Sequence, residues 1–300
     1  MTLATGDYVP GKVFDRFITI WLENEDFTTS ANNSQMKDLA GQGILLSEYY
    51  GVTHPSQPNY LASVGGDYFG LDHDGTVRIP RNVSTIVDLL DTRSIDWRGY
   101  FEDIPGPGYM GPPLLSNPYF VNRTLILLTY DESRTMNKPN QITSILLGEA
   151  VPKELHGTVD NTLYTHYSIL STIENNWDLP CLGRYDVGAN VFSFVATQTK
   201  YINKSPADLF GVNNSHSYPG YLNSGSKKSV PIPSPNLKLS GAGGKGVEEN
   251  IQKTWKSTAK SDTPYDGSGL VYDGNNRLPV YRPQAQNLGV KEALKGSRGV

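Results

Sequence analysis

The 300-residue chain is long enough for one large domain or two ordinary ones. Hydrophobic residues make up 37% of it and aromatic residues 10%, which excludes a chain that is disordered throughout. No apolar run approaches the length of a membrane-spanning helix, no secretory signal is visible near the start, and the single cysteine, Cys181, excludes an intrachain disulfide.

The net charge of -4 conceals an uneven distribution along the chain. Residues 1–196 contain 12 basic and 23 acidic residues, whereas residues 197–300 contain 14 and 7. At the same boundary, alternating apolar and polar segments give way to sequence rich in Gly, Pro and Ser. We therefore predict one folded domain over 1–196 and a loop-rich, basic C-terminal extension over 197–300. The lysines of the extension are scattered, so no nucleic-acid partner is predicted.

Short apolar runs alternate with helical patterns through the first 196 residues. The runs predict buried strands at 17–22, 44–52, 125–129 and 144–147. Helical spacing or composition predicts helices at 35–40, 83–90 and 164–177, of which the last is the clearest. Strands separated by helices favour an α/β fold with a mostly parallel sheet covered on both faces.

Acidic side chains follow two of the predicted strands. Glu23 and Asn24 come directly after the first strand, and Asp131 and Glu132 follow the strand at 125–129. In sheets of this kind, ligands bind at the carboxyl ends of the strands. Carboxylate and amide oxygens suit a hard divalent cation. For either pair alone, helix capping or a solvated surface is the better explanation, whereas both pairs together with Ser56 favour a cation site.

The segment Thr53–Tyr60 is the most informative in the chain. Pro58 suits the first turn of a helix, which places Ser56 just before the helix N-terminus. Backbone N–H groups there favour a phosphate, and a hydroxyl can attack phosphorus when a metal or base lowers the cost of losing its proton. The alternative is that Ser56 is an ordinary N-cap, the commoner role of a serine at such a position.

Two other motifs carry weaker signals. Residues 241–246 fit the pattern G-x-G-x-x-G, but a dinucleotide site would also need a good preceding strand within a βαβ unit, so we do not predict one. His73 lies between Asp72 and Asp74 and could ligate a metal with them, yet a solvated turn explains the three residues better.

Long segments of the chain resemble the fungal acid phosphatases, which belong to the broader phosphoesterase family that also contains bacterial phospholipase C enzymes. The resemblance is carried, in order, by FDRFITIWLENEDF, GVTHPSQPNYLASVGGD, NVSTIVDLL, NRTLILLTYDES, ILLGEAVP, YTHYSILSTIENNW, GRYDVGANVFSFVA and TPYDGSGLVYDG. It implies the α/β/α sandwich of alkaline phosphatase-like enzymes, here incomplete and followed by the loop-rich tail.

The resemblance also implies a set of functional residues. Glu23 and Asn24 match the family's metal ligands after the first strand, and Asp131 with Glu132 matches the acidic pair that completes the metal site. Ser56, two residues before Pro-Asn, matches the nucleophile. A divalent metal ion of unspecified identity is therefore the expected cofactor, and a small phosphorylated molecule the expected substrate.

Two histidines are further candidates on the same resemblance. His166, in the Tyr-Thr-His-Tyr-Ser block, is expected near the phosphate or the metal, and His54 is expected to assist by proximity, although a loop histidine is more often solvated. A third histidine is missing. In the family, the Glu-Asp-Met/Ile-Pro block precedes a long segment with a Thr-Pro-Asn-Met-Thr-Asn-Asp-Gly-His-Asp-like stretch, whereas here GPGYMG runs into PPLLSNPYF near Gly111–Pro113.

The implied activity is metal-assisted hydrolysis of phosphate monoesters through a phosphoserine intermediate, impaired by the missing segment. An inactive phosphate-binding protein remains open, as does a phosphodiesterase or phospholipase C-type hydrolase that uses the same residues. The resemblance implies an extracellular or cell-wall location. Five Asn-x-Ser/Thr triplets fit a secreted glycoprotein and begin at Asn32, Asn82, Asn122, Asn203 and Asn213.

Overall fold

The computed structural model describes residues 8–99, 122–136, 139–204, 220–225, 231–258 and 263–269. Its strands are β1 (Arg16–Leu22), β2 (Ile44–Leu46), β3 (Tyr49–Tyr50), β4 (Thr124–Tyr130), β5 (Ser144–Leu147), β6 (Thr158–Asp160) and β7 (Tyr164–Thr165). Within these ranges, five strands form a central sheet in the order β1-β4-β5-β2-β6, and β3 pairs with β7 in a second, two-stranded sheet.

The central sheet is mixed. β1 runs parallel to β4, and β2 runs parallel to β6. β5 is antiparallel to both of its neighbours, β4 and β2, so the other four strands share one direction. The predicted α/β class is confirmed. The sheet is mostly parallel, as predicted, but β5 is an antiparallel exception. The described residues that connect β4 to β5 contain no helix, so the chain reverses direction between these two strands.

Helices cover both faces of the sheet. They are α1 (Phe27–Ser30), α2 (Ser34–Gly41), α3 (Ser56–Gly65), α4 (Ile86–Asp91), α5 (Tyr167–Trp177), α6 (Ser193–Thr199) and α7 (Glu249–Trp255). In β4, Leu125 and Leu127 join the core that includes side chains of α4 to α7, while Ile126 and Leu128 join the core that includes α2. This alternation follows the period of a strand and places the sheet between two helical layers, as the predicted sandwich requires.

Several predicted boundaries shift in the structure. The strand predicted at 44–52 divides into β2 and β3. The helix predicted from Tyr164 begins at Tyr167, because Tyr164 and Thr165 pair with β3 instead. The helix predicted over 83–90 is α4, whose N-cap is Thr85 in a capping box with Asp88. No helix in the described part of the chain is long and apolar enough to cross a bilayer.

The glycine-rich segment 241–246 packs against the end of α5. A Cβ added to Gly243 would lie 2.2 Å from the Leu179 carbonyl oxygen, and one added to Gly241 would lie 2.6 Å from Glu174 Oε2. These glycines therefore permit close backbone packing. Beyond the segment, Val247 and side chains of α7 enter the main core, so described residues of the predicted extension pack on the sheet domain.

Glu174 of α5 is fully buried beside Asp186. Burial raises the pKa of Glu174 well above its ordinary value of 4.5, and the charge of Asp186 raises it further. The unfolded chain ionises this carboxyl above pH 4.5, whereas the folded chain keeps it protonated to higher pH. The stability that Glu174 contributes is therefore fully present below pH 4.5 and is lost as the pH rises towards the folded-state pKa.

We expect Glu174→Gln to flatten the pH dependence of the free energy of unfolding between pH 4.5 and neutrality. The slope should change by up to about 1.4 kcal/mol per pH unit, the limit for one proton. Chemical denaturation at several pH values measures it. Glu249→Gln, at an exposed position of α7, is the control and should keep the parent slope. Equal slopes for Glu174→Gln and the parent would contradict the expectation.

Candidate active site

The first two strands of the sheet order, β1 and β4, end at the same edge. Their register pairs Leu22 with Tyr130, the last residue of each strand. Glu23 and Asn24 therefore emerge beside Asp131 and Glu132, although more than a hundred residues separate the two pairs along the chain. Two parallel neighbours thus deliver three carboxylates and one amide to one position.

Ser56 is brought to this edge by β3 and the loop that follows it. Ser56 is the first residue of α3, and Pro55 occupies the N-cap position without a side-chain hydrogen bond. The Ser56 hydroxyl lies 3.1 Å from Glu23 Oε1 and 3.2 Å from Glu132 Oε1, positioned to donate to either. The hydroxyl thus faces the carboxylates, which disfavours the alternative role of a simple N-cap.

Asp74 supplies the cap that Ser56 does not. Its Oδ1 accepts the backbone N–H of Gln57 at 2.8 Å, while His73 Nδ1 accepts the N–H of Gly75. Asp72 accepts hydrogen bonds from the backbone and the hydroxyl of Ser224. The Asp72–Asp74 segment is therefore a hydrogen-bonded turn against the start of α3, in line with the preferred interpretation of these residues.

Glu132 is held from two sides. His54 Nδ1 contacts Glu132 Oε2, and both side chains are 4% exposed. On the other side, Asn24 Nδ2 lies 3.5 Å from Glu132 Oε1. His54 thus contacts the carboxylate beside the Ser56 hydroxyl, and it orients that carboxylate rather than standing solvated in its loop.

Asp131 lies behind the same hydroxyl. Its Oδ1 accepts the backbone N–H of Glu132 at 2.9 Å. Burial raises the pKa of Asp131 to about 6; the Ser56 hydroxyl opposes this shift, and the charges of Glu23 and Glu132 add to it. The neighbouring negative charges of Glu23 and Glu132 therefore disfavour ionisation of Asp131, and a bound cation would offset this repulsion.

His166 lies beneath the acidic residues that follow β4. It is fully buried, its Nε2 donates to the backbone carbonyl of Asp131 at 2.6 Å, and its Nδ1 lies 3.4 Å from the Tyr49 hydroxyl. Burial lowers the pKa of His166 to about 4, so the ring is neutral near neutral pH. The structure places His166 against the main chain of Asp131 and directs neither ring nitrogen at Ser56.

Two residues of the site were not singled out from the sequence. Tyr60 lies one helical turn after Ser56 and faces Asp131. Burial raises the pKa of Tyr60, and the charge of Asp131 raises that pKa further. Asn59 is buried, and its amide bonds the backbone of Val52, Thr53 and Pro55. The helical spacing from Ser56 could have indicated Tyr60, and the Pro-Asn pair could have indicated Asn59.

The carboxylate and amide oxygens of the site are the ligand types that a hard divalent cation prefers. Asp131 Oδ2 is buried and accepts no hydrogen bond from the residues that the structure describes. Glu132 Oε2, also buried, contacts His54 Nδ1. As they stand, however, no three His, Cys, Asp or Glu side chains of the described ranges form a closed metal-binding group. Asn24 also turns its Nδ2, rather than its oxygen, towards Glu132.

Comparison with known proteins identifies the family of this chain. The sequence pattern that defines the Phosphoesterase family matches residues 26–113 and 109–180, which include Ser56, Asp131 and Glu132. The chain belongs to the phosphoesterase family. As a member it is a phosphoric ester hydrolase, and the predicted resemblance to fungal acid phosphatases is confirmed.

Two fungal relatives match most of this phosphoesterase, and a bacterial relative matches about half of it. It is 36% identical over 346 positions to an acid phosphatase of Aspergillus fumigatus, covering 86% of this chain and 77% of that protein. It is 35% identical over 365 positions to a phosphate-repressible acid phosphatase of Penicillium chrysogenum, covering 94% and 85%. A phosphatidylinositol-3-phosphatase of Mycobacterium tuberculosis is 24% identical over 219 positions, covering 49% and 71%.

The same comparisons bear on the missing segment. Both fungal alignments are longer than the 300-residue phosphoesterase, so the relatives contain residues that have no counterpart in it. The two stretches that match the family meet at residues 109–113, which include the expected join at Gly111–Pro113. The join itself lies outside the residues that the structure describes.

Proposed function

We propose that this phosphoesterase hydrolyses phosphate monoesters with the help of a divalent cation and through a phosphoserine intermediate. One observation carries the proposal. The Ser56 hydroxyl lies within hydrogen-bonding distance of the carboxylates of Glu23, which follows β1, and Glu132, which follows β4. A hydroxyl so placed has proton acceptors next to it and a helix N-terminus behind it.

The first half of the reaction forms the intermediate. Ser56 Oγ attacks phosphorus, its proton is lost to solvent, and the bond from phosphorus to the ester oxygen breaks. The Glu132 carboxylate, which His54 contacts, faces the hydroxyl from which this proton is lost. Glu23, Asn24, Asp131 and Glu132 are the residues that would hold the cation. When bound, a divalent cation lowers the pKa of a nucleophile and neutralises charge on the phosphoryl group.

The second half releases phosphate. Water attacks the phosphorus of phosphoserine, the Oγ–P bond breaks, and Ser56 takes up a proton that the attacking water loses. The departing alcohol of the first half also needs a proton as it leaves. The residues described around Ser56 serve attack and charge neutralisation, and the family's Asp-Gly-His-Asp-like stretch, absent here, is the best candidate for the proton donor. We therefore propose that turnover is impaired.

The missing stretch also favours a second candidate function. A phosphoesterase that keeps Ser56 and the carboxylates but lacks a proton donor could bind phosphorylated ligands without turning them over. Phosphodiester cleavage would use the same residues, and only the shape of the substrate pocket separates it from monoester cleavage. Turnover of an aryl phosphate monoester by the purified protein separates an active phosphatase from a binding protein.

We expect chelation of divalent cations to lower hydrolysis of an aryl phosphate by at least about 100-fold, since the nucleophile loses its activation. Adding back a divalent cation should restore the rate. Thermal unfolding gives a readout without turnover: the cation should raise the melting temperature of the parent but not of Asp131→Asn. Asp38→Asn, an exposed change in α2, is the control and should respond like the parent. Full activity after exhaustive chelation would rule out metal assistance.

We also propose that the protein is a secreted glycoprotein, on the resemblance to fungal acid phosphatases and on its sequons. Asn32, Asn82 and Asn122 are exposed and accessible to modification. Asn203 uses both ends of its amide on the backbone of Val191, which makes it a poor acceptor. Asn213 lies outside the described residues. Mass spectrometry of the protein from its native source would locate glycans at the first three positions.

A further inference from the structure

Two loops carry the proposed chemistry. The serine loop, residues 51–56, contains His54 and leads into α3, and the acidic loop, residues 131–133, follows β4. A third segment runs alongside them just before β5. In that segment the carbonyl of Asn140 accepts the N–H of Gly51 at 2.8 Å, and the N–H of Ile142 donates to Tyr49. The segment around Asn140 therefore pairs through backbone hydrogen bonds with residues 49–51, which lead to Ser56.

The side chain of Asn140 joins the two loops. It is fully buried, and its Nδ2 donates to the carbonyl of Thr53 in the serine loop at 2.8 Å. Its Oδ1 accepts the N–H of Ser133 in the acidic loop at 2.7 Å. A single amide thus ties the backbone before Ser56 to the backbone after Glu132. Because it belongs to neither loop, it can set the distance between them.

The surrounding packing leaves this amide little freedom. A Cβ added to Gly51 would lie 2.8 Å from Asn140 Nδ2 and 2.9 Å from the Asp131 carbonyl oxygen. Glycine at 51 therefore lets the serine loop, the acidic loop and Asn140 approach closely. Asn59, by contrast, bonds only within the serine loop in the contacts described above, so it shapes that loop without fixing its distance from Asp131.

The chemistry of the contact requires an amide. One end must donate to a carbonyl and the other must accept from an N–H, and among side chains of this length only asparagine offers both in fixed positions. An ionised aspartate at 140 would keep the acceptor, but its second oxygen would face the Thr53 carbonyl without a proton to share. The isosteric change Asn140→Asp thus replaces the hydrogen bond to the Thr53 carbonyl with repulsion between two oxygens.

We propose that Asn140 is a positioning residue that sets the separation of Ser56 from Asp131 and Glu132. The inference rests on the proposed function, because it concerns the alignment of a nucleophile with carboxylates that would hold the cation. Attack on phosphorus is sensitive to alignment, and a displacement of about 1 Å can cost about 100-fold in rate. Substrate capture depends less on this separation than the chemical step does.

Asn140→Asp and Asn176→Asp provide a matched comparison. Asn176 is also buried, and its amide bonds the backbone of Val13 and Phe14, ahead of β1 and at the opposite edge of the sheet from Ser56. Both variants should lose stability. Per folded molecule, we expect kcat for an aryl phosphate to fall about 100-fold in Asn140→Asp with KM within about threefold, and to stay near the parent value in Asn176→Asp.

Hydrogen exchange provides a second readout that needs no turnover. In Asn140→Asp, peptides covering 51–56 and 131–133 should both exchange about tenfold faster than in the parent, while Asn176→Asp leaves them unchanged. If Asn140→Asp does not fold, Asn140→Gln, which keeps the amide on a longer arm, replaces it and should fall about tenfold in kcat.

The outcomes separate the two claims. Equal losses of kcat in the 140 and 176 variants, or faster exchange in only one of the two loops, would overturn the positioning role. Absence of turnover in the parent would count against the proposed function alone, because exchange in both loops still decides the role of Asn140. A drop in kcat together with joint loosening of the loops supports it.

Discussion

Replacing Ser56 with alanine is expected to lower phosphate-monoester hydrolysis by ~10⁴-fold or more, because the change removes the nucleophile itself. No other described hydroxyl takes the same place between Glu23 and Glu132. Thr53 donates its hydroxyl to the carbonyl of His54, and Tyr60 faces Asp131. Steady-state rates with an aryl phosphate measure the loss, and acid-quenched samples given labelled phosphate ester should show phosphoserine in the parent only.

Ser63→Ala is the matched control. Ser63 lies on the same helix, α3, and its hydroxyl donates to the carbonyl of Tyr60 at 2.8 Å, away from the carboxylates. Such a bond within the helix contributes little, so we expect activity within about twofold of the parent. Undiminished hydrolysis by Ser56→Ala would remove Ser56 from the reaction. Similar losses in both variants would indicate damage to α3 instead.

The proximity of the two acidic pairs could be predicted from the sequence, and the reason lies in β1 and β4. Each is a short apolar run followed at once by polar residues, and ligands in α/β sheets bind at carboxyl ends of strands. Once β1 and β4 proved to be parallel neighbours, Glu23 and Asp131 had to lie close together. The resemblance to a known family supplied Ser56 as the nucleophile, which the residues alone had left open against an N-cap.

Contacts between distant segments lay beyond what a sequence pattern can indicate. Nothing local to Asn140 marks it as a bridge, since its partners Thr53 and Ser133 come from two other loops. The burial of His166 has the same origin, because the pairing of Tyr164 and Thr165 with β3 places His166 beneath Asp131. The reversed direction of β5 likewise depends on how the chain returns from β4.

Restoring the family's missing segment between Gly111 and Pro112 is expected to raise turnover of alkyl phosphates by about 100- to 10,000-fold, the contribution typical of a general acid. An alkoxide is a poor leaving group and needs a proton as the ester bond breaks. An aryl oxide leaves readily without one, so aryl phosphates should gain far less. The measurement is the ratio of kcat/KM for alkyl phosphates to kcat/KM for aryl phosphates. It is compared between the chain as it stands and the restored chain, after both are shown to fold.

A third version separates chemistry from folding. It carries the restored segment with the histidine of the Asp-Gly-His-Asp-like stretch replaced by alanine. If the segment acts only by completing the fold, this version should match the restored chain on both substrates. If the histidine donates the proton, it should recover aryl but not alkyl turnover. Equal alkyl turnover in the chain as it stands and in the restored chain would show that the missing segment supplies no proton donor, and the departing oxygen must then take its proton from water or from the residues around Ser56.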